Sequence, residues 1–202
     1  DGAYILNLQD EYDWEIKADP LIRSAHHKLL TARQAQPLPL KDDKILTAWN
    51  GLMIAAMAKA NQVLGEARYL EAARRAAQFL KQNLVSDRGL LRRYRDGEAT
   101  FDGYLDDYAY LISGLLTLYE TDFDLSWIDW ARELQAKQDQ LLWNEQLGAY
   151  YFSRAGDPHL IRRSVDFVDG ARPNSNAVSA LNLLKLFALM FHAPYREKAK
   201  AL

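Results

Sequence analysis

Three segments of this chain align without a gap at an offset of 63 residues, and that repeat constrains the fold more than any other feature. Asp43, Asp106 and Asp169 share one column. Asn50-Gly51-Leu52, Ser113-Gly114-Leu115 and Asn176-Ala177-Val178 form a second block, and Ala73, Ala136 and Ala199 a third. Constant register across these columns implies one repeating unit, with copies at about residues 43–105, 106–168 and 169–202.

Each unit reads as two helices of different character. The first is apolar nearly all round (Leu52 to Met57, Leu111 to Leu116, Leu181 to Phe191), the mark of a helix buried on every side. The second is amphipathic: Tyr69, Ala73, Ala76, Leu80 and Leu84 form one stripe, with Glu71, Arg74, Arg75, Gln78 and Lys81 facing away. Trp127, Ala131, Leu134 and Leu141 repeat the stripe, and Tyr195, Ala199 and Leu202 begin it again. Inner and outer helices therefore alternate. Short β-like stretches lie between units: Gly89 to Arg95 before the turn Asp96-Gly97, and Gly148 to Ser153 before Gly156-Asp157-Pro158. A helix at about 20–34, with Ile22, Ala25 and Leu29 inward, reads as the outer helix of a preceding unit, ended by Pro37-Leu38-Pro39. The first 19 residues, rich in acidic and aromatic side chains, fit neither helix type.

Open superhelices of paired helices repeat every 34–47 residues or so. A unit of 63 with a hairpin after the outer helix fits an all-α α/α-toroid better, with parallel inner helices whose N-termini share one mouth. About three such units make an arc of the ring. The chain starts at Asp1-Gly2 without an initiator Met and stops at Leu202 inside a helical pattern, so a larger parent protein is expected.

Composition narrows the function. The net charge is −2, which leaves no nucleic-acid footprint, and no polybasic or membrane-spanning segment occurs. No signal peptide is present, and a cytoplasmic location is expected. With no cysteine, disulfides, thiolate metal sites and a cysteine nucleophile are excluded within this chain. His26, His27, His159 and His192 lack metal-ligand spacing, so neither a metal nor a cofactor is expected.

The aspartate column at the inner-helix starts suits capping, where a carboxylate accepts free N–H groups and complements the helix dipole. Its alternative is a set of carboxylates converging on the mouth as acid and base. The repeat-breaking neighbours Asp42 and Asp107 sharpen that alternative, because capping in every unit does not require them. Asp42, Asp43, Asp106 and Asp107 are therefore the catalytic candidates. Trp49 is either a core residue or a sugar platform, with Asn50 beside it. Arg172-Pro173-Asn174-Ser175-Asn176 is either a capping segment or a polar pocket wall. Arg92 and Tyr94 on the first hairpin either bind a polyol or pack on the rim.

Lys41 to Ile54, Phe101-Asp102-Gly103-Tyr104-Leu105-Asp106-Asp107-Tyr108-Ala109 and Asp169 to Asn176 resemble, in order, blocks of the YyaL-type thioredoxin-domain-containing family, related to the spermatogenesis-associated thioredoxin-like protein. That resemblance implies a six-hairpin toroid similar to N-acylglucosamine 2-epimerases and six-hairpin glycosidases, with the family's thioredoxin-like domain absent from this chain. It implies a carbohydrate-active or sugar-binding toroid, carboxylate-based if catalytic: Asp42, Asp43, Asp106 and Asp107 as acids or bases, Trp49, Tyr94 and Tyr108 as platforms, Arg92 and Arg172 as clamps, and Asn50 and Asn176 as further contacts. The alternative is a non-catalytic module that binds a metabolite or a partner domain. Apolar flanks left open by a partial ring would favour self-association.

Overall fold

The computed structural model describes residues 19–156 and 160–202; the first eighteen residues, with Asp157, Pro158 and His159, lie outside the described residues. The chain forms two compact units, Asp1–Asp42 and Asp43–Leu202. In the first, helix α1 (Pro20–Gln34) opens with Asp19, whose carboxylate accepts the Leu21 N–H at 2.7 Å, and with Pro20 in the first turn. It buries none of its residues. Ile22, Ala25 and Leu29, expected on an inward stripe, are exposed.

The second unit consists of helix pairs: α2 (Thr47–Leu64) with α3 (Ala67–Asn83), α4 (Leu105–Asp122) with α5 (Leu125–Leu142), and α6 (Ser175–Met190) with α7 (Ala193–Ala201). Each inner helix stops the same way. A left-handed residue (Gly65, Phe123, Phe191) returns its N–H to the carbonyl four residues back, and the outer helix follows at once. Of the expected stripes, the outer helices bury Ala73 and Leu80 on α3 and Trp127, Ala131 and Leu134 on α5, while Tyr69, Ala76 and Leu141 are half-buried; Ala77 and Trp130 join the buried faces.

The inner helices run parallel. Ala48 meets Asp107, Gly51 meets Tyr110 and Leu111, and Ile54 meets Gly114, so the numbers rise together and both N-termini lie at one end. Backbone touches backbone at this crossing: a methyl on Gly51 would sit 2.5 Å from the Leu111 nitrogen, and one on Gly114 2.6 Å from the Gly51 carbonyl oxygen. On the other side, Asn182 of α6 donates to the Ala109 carbonyl of α4 at 2.7 Å. Only α4, held between two neighbours, is buried all round, with twelve buried residues against five each on α2 and α6. α2 leaves Trp49, Met53 and Val63 exposed, and α6 leaves Leu181 and Leu184 exposed. Burial on every side therefore holds for the middle inner helix and not for its flanks.

A small antiparallel sheet closes the mouth end. β3 (Gly89–Arg95) pairs with β4 (Glu98–Asp102), with β1 (Ile45–Leu46) and with β2 (Val85–Ser86). Asp96 and Gly97 both take positive φ, the tight hairpin turn their sequence suggests. The second hairpin differs from expectation. β6 (Ala149–Tyr150) pairs backward with β5 (Trp143–Asn144), across a turn in which Asn144 accepts the N–H groups of Gln146 and Leu147.

The spacing also needs correction. Inner helices begin at residues 47, 105 and 175, spacings of 58 and 70; outer helices begin at 67, 125 and 193, spacings of 58 and 68. The unit repeats, but not at a constant 63, because the irregular stretch from β6 to α6 is longer than the hairpin that precedes α4. Gly51 and Gly114 share a column because they touch at the crossing, being the fifth residue of one helix and the tenth of the other.

Candidate functional site

The mouth is organised by the start of α4. Gly103 docks on β3, its N–H bonded to the Leu90 carbonyl at 2.7 Å, where a Cβ would stand 2.9 Å from that oxygen. Leu105 N–H bonds the Phe152 carbonyl at 2.8 Å. Pinned between both hairpins, the first helical turn holds Asp106 and Asp107 at the free N–H end, where negative charge is favoured.

Arg92 reaches them from β3. Its Nη1 lies 2.9 Å from Asp106 Oδ1 and 2.9 Å from Asp107 Oδ2, and its guanidinium carbon lies 4.8 Å from the centre of the Tyr104 ring. Asp107 also accepts the N–H of Tyr104 on Oδ2 and the N–H of Ala48 on Oδ1, each at 2.9 Å. The outer oxygen of Asp106 is held by Arg172 Nη1. Both carboxylates are buried, at 1% and 0% side-chain exposure, whereas Arg172 is 41% exposed. Beside it the Tyr110 hydroxyl donates to the Pro173 carbonyl, and Asp169 accepts the Asn174 N–H at 2.7 Å.

Burial, and then the Asp106 charge, push the Asp107 carboxyl up to about 7, against the pull of Arg92 and the Tyr104 and Ala48 N–H groups. Burial disfavours the Arg92 charge, but Asp107 and Asp106 outweigh it and leave that guanidinium above its ordinary value. The two carboxylates differ in commitment. Asp107 is spent on the backbone of two helices and on Arg92; among the described residues Asp106 is held by Arg92 and Arg172 alone. The oxygens that share Arg92 Nη1 at 2.9 Å each lie within about 6 Å, under the ~6.5–9.5 Å of an inverting glycosidase pair, and a guanidinium fills the gap.

Of the residues singled out from the sequence, the structure brings Asp106, Asp107, Arg92 and Arg172 together, while Trp49 is exposed in the first turn of α2. Asn50 turns back on its own helix, donating to the Leu46 carbonyl at 2.9 Å. Others lie elsewhere. Asp43 pairs with Arg95 at 3.0 Å on the surface, and Asp42 is an exposed residue of the N-terminal unit. Tyr94 packs edge-on against Phe79, so its ring is not an open platform. Tyr108 is a core residue whose hydroxyl accepts the Leu90 N–H at 2.9 Å. Asn176 is buried, its amide bound to both the N–H and the carbonyl of Tyr150 and to the Asp166 carbonyl.

The shared capping role expected for Asp43, Asp106 and Asp169 is not found either. α2 has no side-chain cap of its own; Asp107 serves its Ala48 N–H from across the helix pair. α6 is capped by Asn174, whose side chain accepts the Ala177 N–H, while Asp169 steadies Asn174. Tyr104 and Tyr110 were not singled out from the sequence. Tyr110 stands four residues after Asp106, which places the two on one helix face, and that spacing was the available signal.

No family model matches the sequence. Human spermatogenesis-associated protein 20 is 39% identical over 193 residues, covering 90% of this chain, and the rat protein is 38% identical over 220 residues, covering all of it. The chain is a homologue of spermatogenesis-associated protein 20. It spans about a quarter of these relatives' length, 25% and 28%. Among solved structures, cellobiose 2-epimerase from Bacillus thermoamylovorans matches with a TM-score of 0.66 at 17% identity, over 81% of this chain and 44% of its own. A GH76 α-mannanase from Bacteroides thetaiotaomicron gives 0.63 at 16% identity, over 83% and 44%. An inactive variant of a Salegentibacter α-1,6-mannanase, with two consecutive aspartates replaced by alanine and α-1,6-mannotetrose bound, gives 0.59 at 15% identity, over 93% and 54%. At such identities the likeness concerns the fold alone. The fold is the α/α-toroid type.

Proposed function

We propose that this chain forms a glycan-binding mouth of an α/α-toroid, with Asp106 as the carboxylate that meets the ligand. The observation that carries this reading is the unequal commitment of the two buried aspartates: Asp107 is tied to backbone, and among the described residues Asp106 is held only by arginines, one of them exposed. A sugar hydroxyl donating to the outer oxygen of Asp106 would take a charge-assisted hydrogen bond. Arg172 and Arg92 supply donors for sugar oxygens, and Trp49, 60% exposed in the first turn of α2, offers a flat apolar face to a pyranose ring. Asp107 is a positioning residue that fixes the first turn. The mannanase rendered inactive by loss of two consecutive aspartates supports attention to the buried consecutive pair here. His192 precedes α7 at the opposite end of an inner helix from this mouth.

A binding module without turnover is the second reading, favoured because Arg92 occupies the space between the carboxylates. Both are tested by thermal-shift measurements on the intact protein with α-1,6-mannotetraose and with cellobiose, alongside a reducing-end assay. Stabilisation by one of them, lost in Asp106→Asn and weakened in Trp49→Ala, is expected. No stabilisation by either, or the same shift in Asp106→Asn, contradicts the proposal. Released reducing ends separate turnover from binding alone.

A further inference from the structure

The segment 167–173 is attached at its ends. The Asp166 carbonyl is held by Asn176 at 3.0 Å, and Asn174 caps α6. Between these anchors the hydrogen bonds are mostly internal, Val168 N–H to Asp166 and Gly170 N–H to the Arg172 carbonyl, and Phe167 and Val168 are exposed. Two side-chain contacts tie the segment down onto α4: Arg172 to Asp106, and the Tyr110 hydroxyl to the Pro173 carbonyl. A hollow of about 310 Å³, bordered by Asp169, Gly170, Ala171, Arg172 and Pro173, lies open beside it.

We propose that this strap is a latch over the ligand site and that Arg172 is its bolt, a positioning residue that keeps Asp106 out of solvent until a ligand hydroxyl takes its place. The inequality of exposure carries the idea. Asp106 is 1% exposed while the Arg172 side chain bonded to its outer oxygen is 41% exposed, so a surface side chain lies directly against a buried carboxylate. Arg92 and Asp107, the inner half of the cluster, are anchored to β3 and to two helix starts and do not need to move. Arg172 sits on a strap with room beside it, so the guanidinium can leave without disturbing α4. A hydroxyl arriving at Asp106 replaces one charge-assisted donor by another, which leaves the carboxylate satisfied throughout.

The inference rests on Asp106 being the ligand-facing carboxylate, yet its test uses no glycan, so the two can fail separately. Carboxyl labelling of the intact protein with a carbodiimide and glycine ethyl ester, read residue by residue by mass spectrometry, reports the access of reagent to Asp106. Asp96, 82% exposed, serves as the internal reference. In the wild type Asp106 is expected to label far less than Asp96. Arg172→Ala should raise Asp106 labelling by about tenfold, the change that goes with losing one hydrogen bond to a charged group, and leave Asp107 unlabelled. Arg172→Lys should restore part of the protection, which a merely structural role for the arginine would not produce. Wild-type labelling of Asp106 in both variants overturns the latch. So does a joint rise at Asp106 and Asp107, which would mean that the arginine holds the fold together instead of covering one carboxylate.

Discussion

The carboxylate of Asp107 accepts the backbone N–H of Ala48 at 2.9 Å, across 59 residues of sequence. One side chain thereby serves the N-termini of two parallel helices, its own through the Tyr104 N–H and its neighbour's through Ala48. Parallel packing sets two positive dipole ends side by side, and a negative charge between them offsets that arrangement. Asp107→Ala would leave both N–H groups and Arg92 without this acceptor. A loss of about 3–5 kcal/mol in unfolding free energy is expected, as for breaking a buried charged pair, measurable by denaturant titration.

The raised Asp107 carboxyl has a pH signature. A carboxyl at about 7 in the folded state, against an ordinary value of 3.8, binds more protons folded than unfolded between those values. Its contribution is present in full below the unfolded value and is lost as pH rises through the folded one. The stability difference between the wild type and Asp107→Asn should therefore move against the wild type from pH 4 to pH 7. Unfolding curves of both proteins at matched pH values check the sign.

Arg92→Met removes the cation shared by two buried carboxylates. With Arg92 gone, nothing on that side favours ionised Asp107, so the penalty is expected to be greater at pH 8, above the raised Asp107 value, than at pH 5, where Asp107 keeps its proton. Equal destabilisation at the two pH values would contradict the assigned electrostatics.

Gly51→Ala and Gly114→Ala should each destabilise by more than the ~1–3 kcal/mol of ordinary overpacking, because the added methyl meets backbone and not a movable side chain. The gain in helix propensity, about 1 kcal/mol, does not offset that. Gly65→Ala is the contrast. Its Cβ would enter open space, and only the left-handed backbone at φ 71° is penalised, by about 1–2 kcal/mol. Thermal unfolding of the three variants ranks them.

The paired-helix architecture was legible because burial imposes periodicity on Ala73 and Leu80, whereas the apolar runs of all three inner helices looked alike and did not show that only α4 has a neighbour on both sides. The constant offset misled at Asp43, Asp106 and Asp169, since loops of different length slide equivalent positions out of column. Of the two departures from the repeat, Asp107 falls in the buried cluster and Asp42 is exposed. What the sequence concealed was partner choice. Nothing local to Asp107 names Ala48, and nothing in the Arg92-to-Arg95 run says that Arg92 turns to the mouth while Arg95 takes Asp43. Tyr108 read as a platform for the same reason. Its hydroxyl is claimed by the Leu90 N–H of a strand that becomes its neighbour only on folding.

The most direct measurement is calorimetric titration of the intact protein with α-1,6-mannotetraose and with cellobiose, for the wild type, Asp106→Asn and Asp43→Asn. Binding of at least one sugar by the wild type is predicted, weakened about tenfold or more in Asp106→Asn by loss of a charged acceptor, and unchanged in Asp43→Asn, whose carboxylate lies on the surface with Arg95. Equal affinity in the wild type and Asp106→Asn, or no binding of either sugar, would contradict Asp106 as the ligand-facing carboxylate of a glycan-binding mouth.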